Sequence, residues 1–490
     1  MGDSHNTFLD AGTLASDSSM DSRPSRTRLY FSVAILNLAY IICGTTYAWS
    51  SPVLMKLQLS AGEGSTIASA LSLGMILGPS VCGAVLDRCG RKGTLGLGMV
   101  FMSCSYLLLN VVSSVSLLSI GRAMAGISNG IAFTVVPVYI AEISEDAVRG
   151  FLNTQGHIAF CSGSLLVYTI GPFVSYAALH YTMLGMCVLF FMLFFYLPDS
   201  PHSLVIKQEL NRARDTLIWL RKNRSGSYVE KELQIIQSSI HQSQAESGSI
   251  RELFASRGNR RGLLICCGLL TLQQISGMSI VFFYAELIFK MTGTDISTST
   301  CSIVVGVFMT GSAFISPVAV KNFGYKKPLL VAASGTALGM GSLGVFFLLK
   351  SSDVNVDSIS WLPLLSLVVY ILFFNTGFSN IPWALSGELF PSNVKPYATT
   401  LIATSCGCLS FLTAKLFPYL IQMVGEHFVF LGCSFFCCVT VVFVSAIVQD
   451  TSGLSFGEIQ EILNGRMKTD IQHRKTVLKN INLEVCILLT

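Results

Sequence analysis

The run P-V-Y-I-A-E-I-S-E-D-A-V-R-G spans Pro137 to Gly150, and P-W-A-L-S-G-E-L-F-P-S-N-V-K spans Pro382 to Lys395. In each, an acid precedes a base by seven residues: Glu142 and Arg149 in the first, Glu388 and Lys395 in the second. Each run leaves a long apolar stretch. A second echo lies upstream of each, L-D-R-C-G-R-K at 86–92 and N-F-G-Y-K-K-P at 322–328. The same punctuation at corresponding places makes the chain an internal duplication.

Composition says what is duplicated. Of 490 residues, 51% are hydrophobic and 12% charged, about half the charge of an ordinary soluble domain. So little charge cannot cover the surface of a soluble protein of this length. A polytopic α-helical membrane protein follows, its helices about 20 apolar residues long. The first 28 residues are polar and read as a tail without a signal peptide. Apolar stretches then fall at 29–49, 66–86, 94–112, 116–139, 152–174, 179–197, 262–289, 298–320, 327–350, 361–388, 395–421 and 426–448. The expected fold is all-α, with twelve transmembrane helices in two pseudo-symmetric six-helix halves, 29–197 and 262–448. Between them, 198–261 reads as a cytoplasmic insertion whose helices, 211–222 and 228–241, are short, amphipathic and lie on the cytoplasmic face. The last segment, 449–490, reads as a cytoplasmic tail.

Charge placement supports that count. With both tails cytoplasmic, alternate loops collect Lys and Arg. All but five of the 32 basic residues fall on that side, the exceptions being Lys56, Arg122, Lys290, Lys350 and Lys415. The net charge of +5 therefore follows topology and is no nucleic-acid signature. The 15 cysteines sit mostly inside apolar runs and read as packing residues, with no disulfide framework or metal site. No G-x-x-x-x-G-K-[ST] loop occurs, and no catalytic constellation or cofactor motif recurs, so an enzyme is not expected.

Duplicated six-helix halves characterise carriers that alternate access around a central site. Acids and bases at the cytoplasmic ends of the helices can then pair when that side closes, and must part when it opens. On this reading Asp87, Arg88, Arg91, Glu142, Arg149, Glu388 and Lys395 form a cytoplasmic gate; the alternative is that they only fix topology.

At these residues the chain resembles the sugar-porter family of the major facilitator superfamily. The matching runs are D-R-C-G-R-K (87–92), G-R-A-M-A-G (121–126), P-V-Y-I-A-E-I-S…R-G (137–150), P-D-S-P-H-S-L (198–204), Q-Q-I-S-G-M-S-I-V-F-F-Y (273–284), I-P-W…G-E-L-F-P (381–391) and T-S-G-L-S-F-G-E-I-Q (451–460). Within the family it looks most like the animal facilitated glucose and trehalose transporters. The resemblance implies a hexose or disaccharide substrate held by Gln273 and Gln274, with Ser279 at a further amide position, Phe283 and Tyr284 as the closing aromatic pair, and Trp383. His157 occupies a glutamine position, and Cys406 and Gly407 fall where an amide and an aromatic are usual. Departures include Lys321 and Asn322 at the second echo, where the family usually has Asp and Arg, His202 as the basic member of its run, and Ser379 where a helix-breaking proline is usual.

Chemistry supports part of this set independently. A carboxamide both donates and accepts, as sugar hydroxyls do. Two adjacent amides in an apolar helix demand a partner; the alternative to sugar is another helix. Trp383 offers an apolar ring face and one donor, suited to sugar C–H surfaces or to packing. His157 reads as a sugar contact, a pore-facing polar group or a proton carrier. The first helix carries no carboxylate from Leu29 to Pro52, so a uniporter is expected, Glu286 being read as near bulk water. The alternatives are a carrier of a polyol or other small metabolite, proton coupling through His157, and a non-transporting sugar sensor. The expected partners are the sugar and the lipid bilayer, with no nucleic acid and no obligate protein partner. The expected location is the plasma membrane or an endomembrane; Glu484 with Leu488 and Leu489 fits an acidic dileucine sorting pattern.

Overall fold

The computed structural model describes residues 25–464 apart from 58, 246–248, 294–295, 392, 453 and 455. The sorting pattern at 484–489 lies outside the described residues, as do most of both tails. The first half comprises α1 (Thr27–Lys56), α2 (Ala61–Leu86), α3 (Arg88–Val111), α4 (Val115–Ile143), α5 (Asp146–Ile170) and α6 (Tyr176–Phe194). Four short helices follow: α7 (Pro201–Ile206), α8 (Leu210–Leu220), α9 (Gly226–Ala245) and α10 (Ile250–Ala255). The second half comprises α11 (Arg257–Thr292), α12 (Thr298–Phe323), α13 (Lys326–Ser351), α14 (Asp357–Glu388), α15 (Lys395–Val424) and α16 (Glu426–Ile447), before α17 (Phe456–Asn464).

Eleven of these are long and apolar enough to cross a membrane by length and composition. The twelfth expected span, α5, falls short because Asn153, Gln155 and His157 interrupt its first half. It is nevertheless built into the bundle, packed along α1 and across onto α12. A helix that lines a polar interface between halves need not be apolar on every face.

The duplication is visible in the packing. The second span of each half meets the fifth of the other, α2 on α15 and α5 on α12. Within the first half, small residues let backbones touch: a Cβ on Gly74 would lie 2.0 Å from the Ala123 carbonyl oxygen, and one on Gly44 2.0 Å from that of Phe160. The two echo loops share one conformation. Gly90 has φ 71°, ψ −177° and Gly324 has φ 75°, ψ −163°, a region side chains rarely adopt. Lys321 stands where the first echo has Asp87, and an acid reaches this loop from the other end of the half in sequence: Asp450 accepts from the Tyr325 backbone N–H at 3.2 Å.

The helices of the insertion pack apolar residues against one another: Leu204, Val205, Ala213, Leu217, Val229, Leu233 and Ile236 form a small separate core. Arg221, 3% exposed, anchors that core to the bundle by donating to the Ile143 carbonyl at the end of α4 (2.8 Å) and to both oxygens of Glu232. Helices α1, α3 and α11 start, and α4 ends, beside this insertion. That end is called the insertion side below, and the other the far side.

Candidate functional site

Helix α11 is broken at mid-depth. Its first segment ends at Ile275 and its second starts at Met278, with Gly277 left-handed at φ 99° between them. The expected amides sit just before this break. Gln273, 1% exposed, donates to the Phe378 carbonyl of α14 at 2.5 Å. That carbonyl lies in a π-helical turn, Phe374–Phe378, whose irregular backbone presents an acceptor sideways. Gln274, 4% exposed, donates to Cys406 Sγ of α15 at 3.2 Å. Its Oε1 accepts from Ser279 at 3.0 Å. Ser279 is 2.8 Å from Ser410, which is 2.9 Å from Ser72 of α2. With one hydrogen per hydroxyl, donation runs Ser72 to Ser410 to Ser279 to Gln274. This chain of small polar groups crosses from one half to the other.

Across the interface, His157 Nε2 is 3.4 Å from Asn375 Oδ1 in the same π-turn. Asn375 uses its amide nitrogen on the Met309 carbonyl and Ser312, 2.9 Å each. Its oxygen is therefore the acceptor, and His157 donates. The structure thus brings Gln273, Gln274, Ser279 and His157 to the interface at mid-depth, the glutamines bonded to neighbouring helices. Tyr284, also buried, donates to the Ala414 carbonyl of α15 at 2.9 Å and packs its ring on Phe417. Trp383, 43% exposed, stands apart, nearer the insertion side. Sequence reasoning missed Asn375, Ser410 and Ser72. An asparagine in an otherwise apolar run, F-F-N-T-G-F at 373–378, was the available signal.

The far side is sealed between halves. The Tyr47 ring of α1 packs on Phe282 and Phe283 of α11, with centroids 6.1 and 5.5 Å away, and on Phe160 of α5. Tyr168 of α5 donates to the Phe282 carbonyl at 2.9 Å. The Glu286 backbone N–H donates to Ser51 of α1 at 3.1 Å, and Lys415 of α15 bonds Thr66 of α2. Glu286 is only 4% exposed, which corrects its reading as near bulk water: α1 continues to Lys56 and covers it. Beneath the seal, Arg122 is 1% exposed and holds no carboxylate among the described residues. It donates to the Thr46 carbonyl at 2.7 Å and to Ser50 at 3.1 Å, and stacks 4.7 Å from the Trp49 ring centroid. Carbonyl, hydroxyl and π-face compensate part of the cost of burying the guanidinium, whose Nε is buried with no hydrogen-bond partner.

At the insertion side the expected gate residues engage neighbours in their own half. Arg91 donates to Glu142 from Nε (2.9 Å) and Nη2 (2.7 Å), and Ser200 donates to the other Glu142 oxygen. Arg149 donates to the Ala141 carbonyl at 3.0 Å. Glu388 accepts from Tyr325 at 2.5 Å. Arg88 and Lys395 are exposed, and the Asp87 side chain lies outside the described ones. The insertion latches here: Glu145, between α4 and α5, pairs with Arg224 of the insertion at 3.7 Å and accepts from Arg26, beside the start of α1, at 2.6 Å, and that carboxylate raises the Arg26 pKa. His202 sits behind Ser200, its pKa lowered chiefly by burial, with Glu142 acting in the opposite sense.

Among known families, the sugar (and other) transporter family matches residues 27–463. The chain is similar to a facilitated trehalose transporter of Polypedilum vanderplanki, 30% identical over 461 residues, covering 91% of each chain. It is also similar to one of Anopheles gambiae, 29% identical over 460 residues, spanning 91% of this chain but 58% of that one. Among solved structures, the E. coli xylose transporter XylE in a partially occluded inward-open conformation superposes with a TM-score of 0.74 at 22% identity, covering 87% of this chain and 99% of that one.

Proposed function

The chain belongs to the sugar transporter family, and on that premise we propose that it is a facilitative carrier of a hexose or of a disaccharide such as trehalose, working by alternating access. The observation that carries the reading is the mid-depth polar chain from Gln274 through Ser279 and Ser410 to Ser72. It joins the halves by bonds that sugar hydroxyls can replace one for one, since each partner both donates and accepts. Gln273, Tyr284, Trp383 and His157 complete the site on this reading. Asn375 joins them through His157.

The conformer fits one end of the cycle. Bonds between the halves gather at mid-depth and on the far side, while Arg91, Glu142 and Glu388 engage their own halves on the insertion side. With the insertion cytoplasmic and both tails on that side, this is the inward-facing arrangement, and the gate residues pair across halves in the outward-facing one. Uniport is supported by α1, which carries no carboxylate from Leu29 to Pro52 and has Thr45 and Thr46 in mid-helix. A lipid bilayer is the surrounding partner, with the plasma membrane as the setting.

The test is uptake of a panel of radiolabelled sugars, trehalose and glucose included, in transport-deficient cells. Saturable flux that equilibrates and is indifferent to a protonophore is expected. No flux for any sugar with the protein at the surface would leave the sensor reading standing.

A further inference from the structure

Glu286 has no place in the site just described, and its surroundings are unusual for a carboxyl group. It lies six residues before the end of α11, on the far side of the ring seal formed by Tyr47, Phe282 and Phe283. It is 4% exposed, and its Oε1 is buried with no hydrogen-bond partner. The neighbouring cation, Lys56 at the end of α1, spends its ammonium on the carbonyls of Gly171 and Val174. Tyr168 of α5, the other titratable neighbour, gives its hydrogen to the Phe282 carbonyl. Of the remaining elements packed against this segment, α15 turns Lys415 to Thr66, α14 turns Tyr370 toward Ser276, and α12 offers the buried thiol of Cys301. A buried carboxylate with an open lone pair is costly, whereas the protonated acid is not. The covering element, α1, belongs to the other half and is held here by the bond from the Glu286 N–H to Ser51. Opening the far side lifts that cover.

We propose that Glu286 is a proton-binding site that closes the far side when occupied, taking its proton from far-side water and returning it there. The ring seal separates it from the insertion side, so the proton is a regulator of the cycle and not a cargo. In the arrangement described here a cavity of about 230 Å³ already lies on the far side between α1, α2 and α11, lined by Ser51, Leu54, Ser65, Phe283 and Leu287, and deprotonation of Glu286 follows when the opened far side brings water to it. Reburial then requires the proton back. The sign follows: acidifying the far side favours the closed arrangement, and raising its pH favours the open one. The inference rests on the transport reading for its consequence, faster return of the carrier at acidic far-side pH, but not for its physical content.

The experiment therefore has two readouts. Ser65 is fully buried in this arrangement. A Ser65→Cys variant is labelled from the far side with a membrane-impermeant thiol reagent between pH 8 and 5, each rate normalised to the exposed loop variant Ser352→Cys to remove thiol ionisation. The normalised rate should fall with pH, by up to roughly tenfold per unit for one proton. Glu286→Gln should hold it low at every pH, and Glu286→Asp, a second variant should the first fail to reach the membrane, should keep the dependence with a displaced midpoint. A pH-independent rate in the Ser65→Cys background, or an undiminished dependence in Glu286→Gln, would overturn the proposal. Sugar flux is measured in parallel. Its absence at every pH counts against the transport reading alone, since the labelling still reads the proton site.

Discussion

At the residue scale, the side chains of the mid-depth polar chain are each bonded to named neighbours, so single truncations have definite costs. Gln274→Ala strands Ser279 and Cys406 and removes a sugar partner; weakening by about 1–3 kcal/mol is expected, read as a raised KM with surface expression unchanged. Ser410→Ala breaks the same chain in its middle and should raise KM similarly, whereas Ser410→Cys, keeping size, should lose less. The amide pair was legible in the sequence because adjacent glutamines in an apolar run are rare and costly. Ser72 and Ser410 were not, because serine is common in membrane helices and only tertiary contact distinguishes a bridging one. Glu286 was misread for a related reason: distance along a helix gives depth, but not which neighbouring helix covers the side chain.

At the element scale, the spans could be read to within seven residues at each boundary, and the duplication with them, since hydropathy and alternating loop charge both report membrane crossing. The insertion could not, because amphipathic periodicity says that a face is buried but not against what. Here it is buried in the core formed by α7, α8 and α9. Two expectations belong to these elements. Gly324→Ala places a Cβ 2.1 Å from an Asp450 carboxylate oxygen at a φ of +75°, so a loss of at least about 1–2 kcal/mol is expected, measured as a lower melting temperature in detergent. His202, the second residue of α7, is a partly buried base with lowered pKa, faced by Glu142, Arg91, Arg149 and Glu232. Its contribution is therefore full above the ordinary histidine value near 6.5 and is lost as pH falls below it. Hydrogen exchange over 201–220 should accelerate at pH 5.5 relative to 7.5, and His202→Gln should remove most of that difference.

At the scale of the whole molecule, the described conformer is one of at least two that alternating access demands, and charge at the insertion side sets their balance. Neutralising Glu388 or Arg149 removes a charge that, on the gate reading, pairs across the halves when that side closes, in addition to its bonds within its own half here, which should shift the population toward the arrangement seen here. A factor of about 5–30 corresponds to the 1–2 kcal/mol of one such pair in a partly desolvated rim. Labelling of a cysteine placed on the insertion-side face of α14 should rise in both variants; unchanged labelling in both would remove these residues from the gate. Net flux should cease when the sugar gradient is gone, whatever the proton gradient, because protons on Glu286 return to their own side.

The burial of Arg122 against an indole has an optical consequence. Of the four tryptophans, Trp49 alone is fully buried; its indole N–H is held by His180 at 2.9 Å and its ring lies under the guanidinium. Trp361 and Trp383 are about half exposed. A protein retaining Trp49 as its sole indole should emit at short wavelength while the far side is sealed. Its emission should move to the red, with altered quenching, when water and sugar enter, so the carrier contains its own fluorophore for timing each turnover.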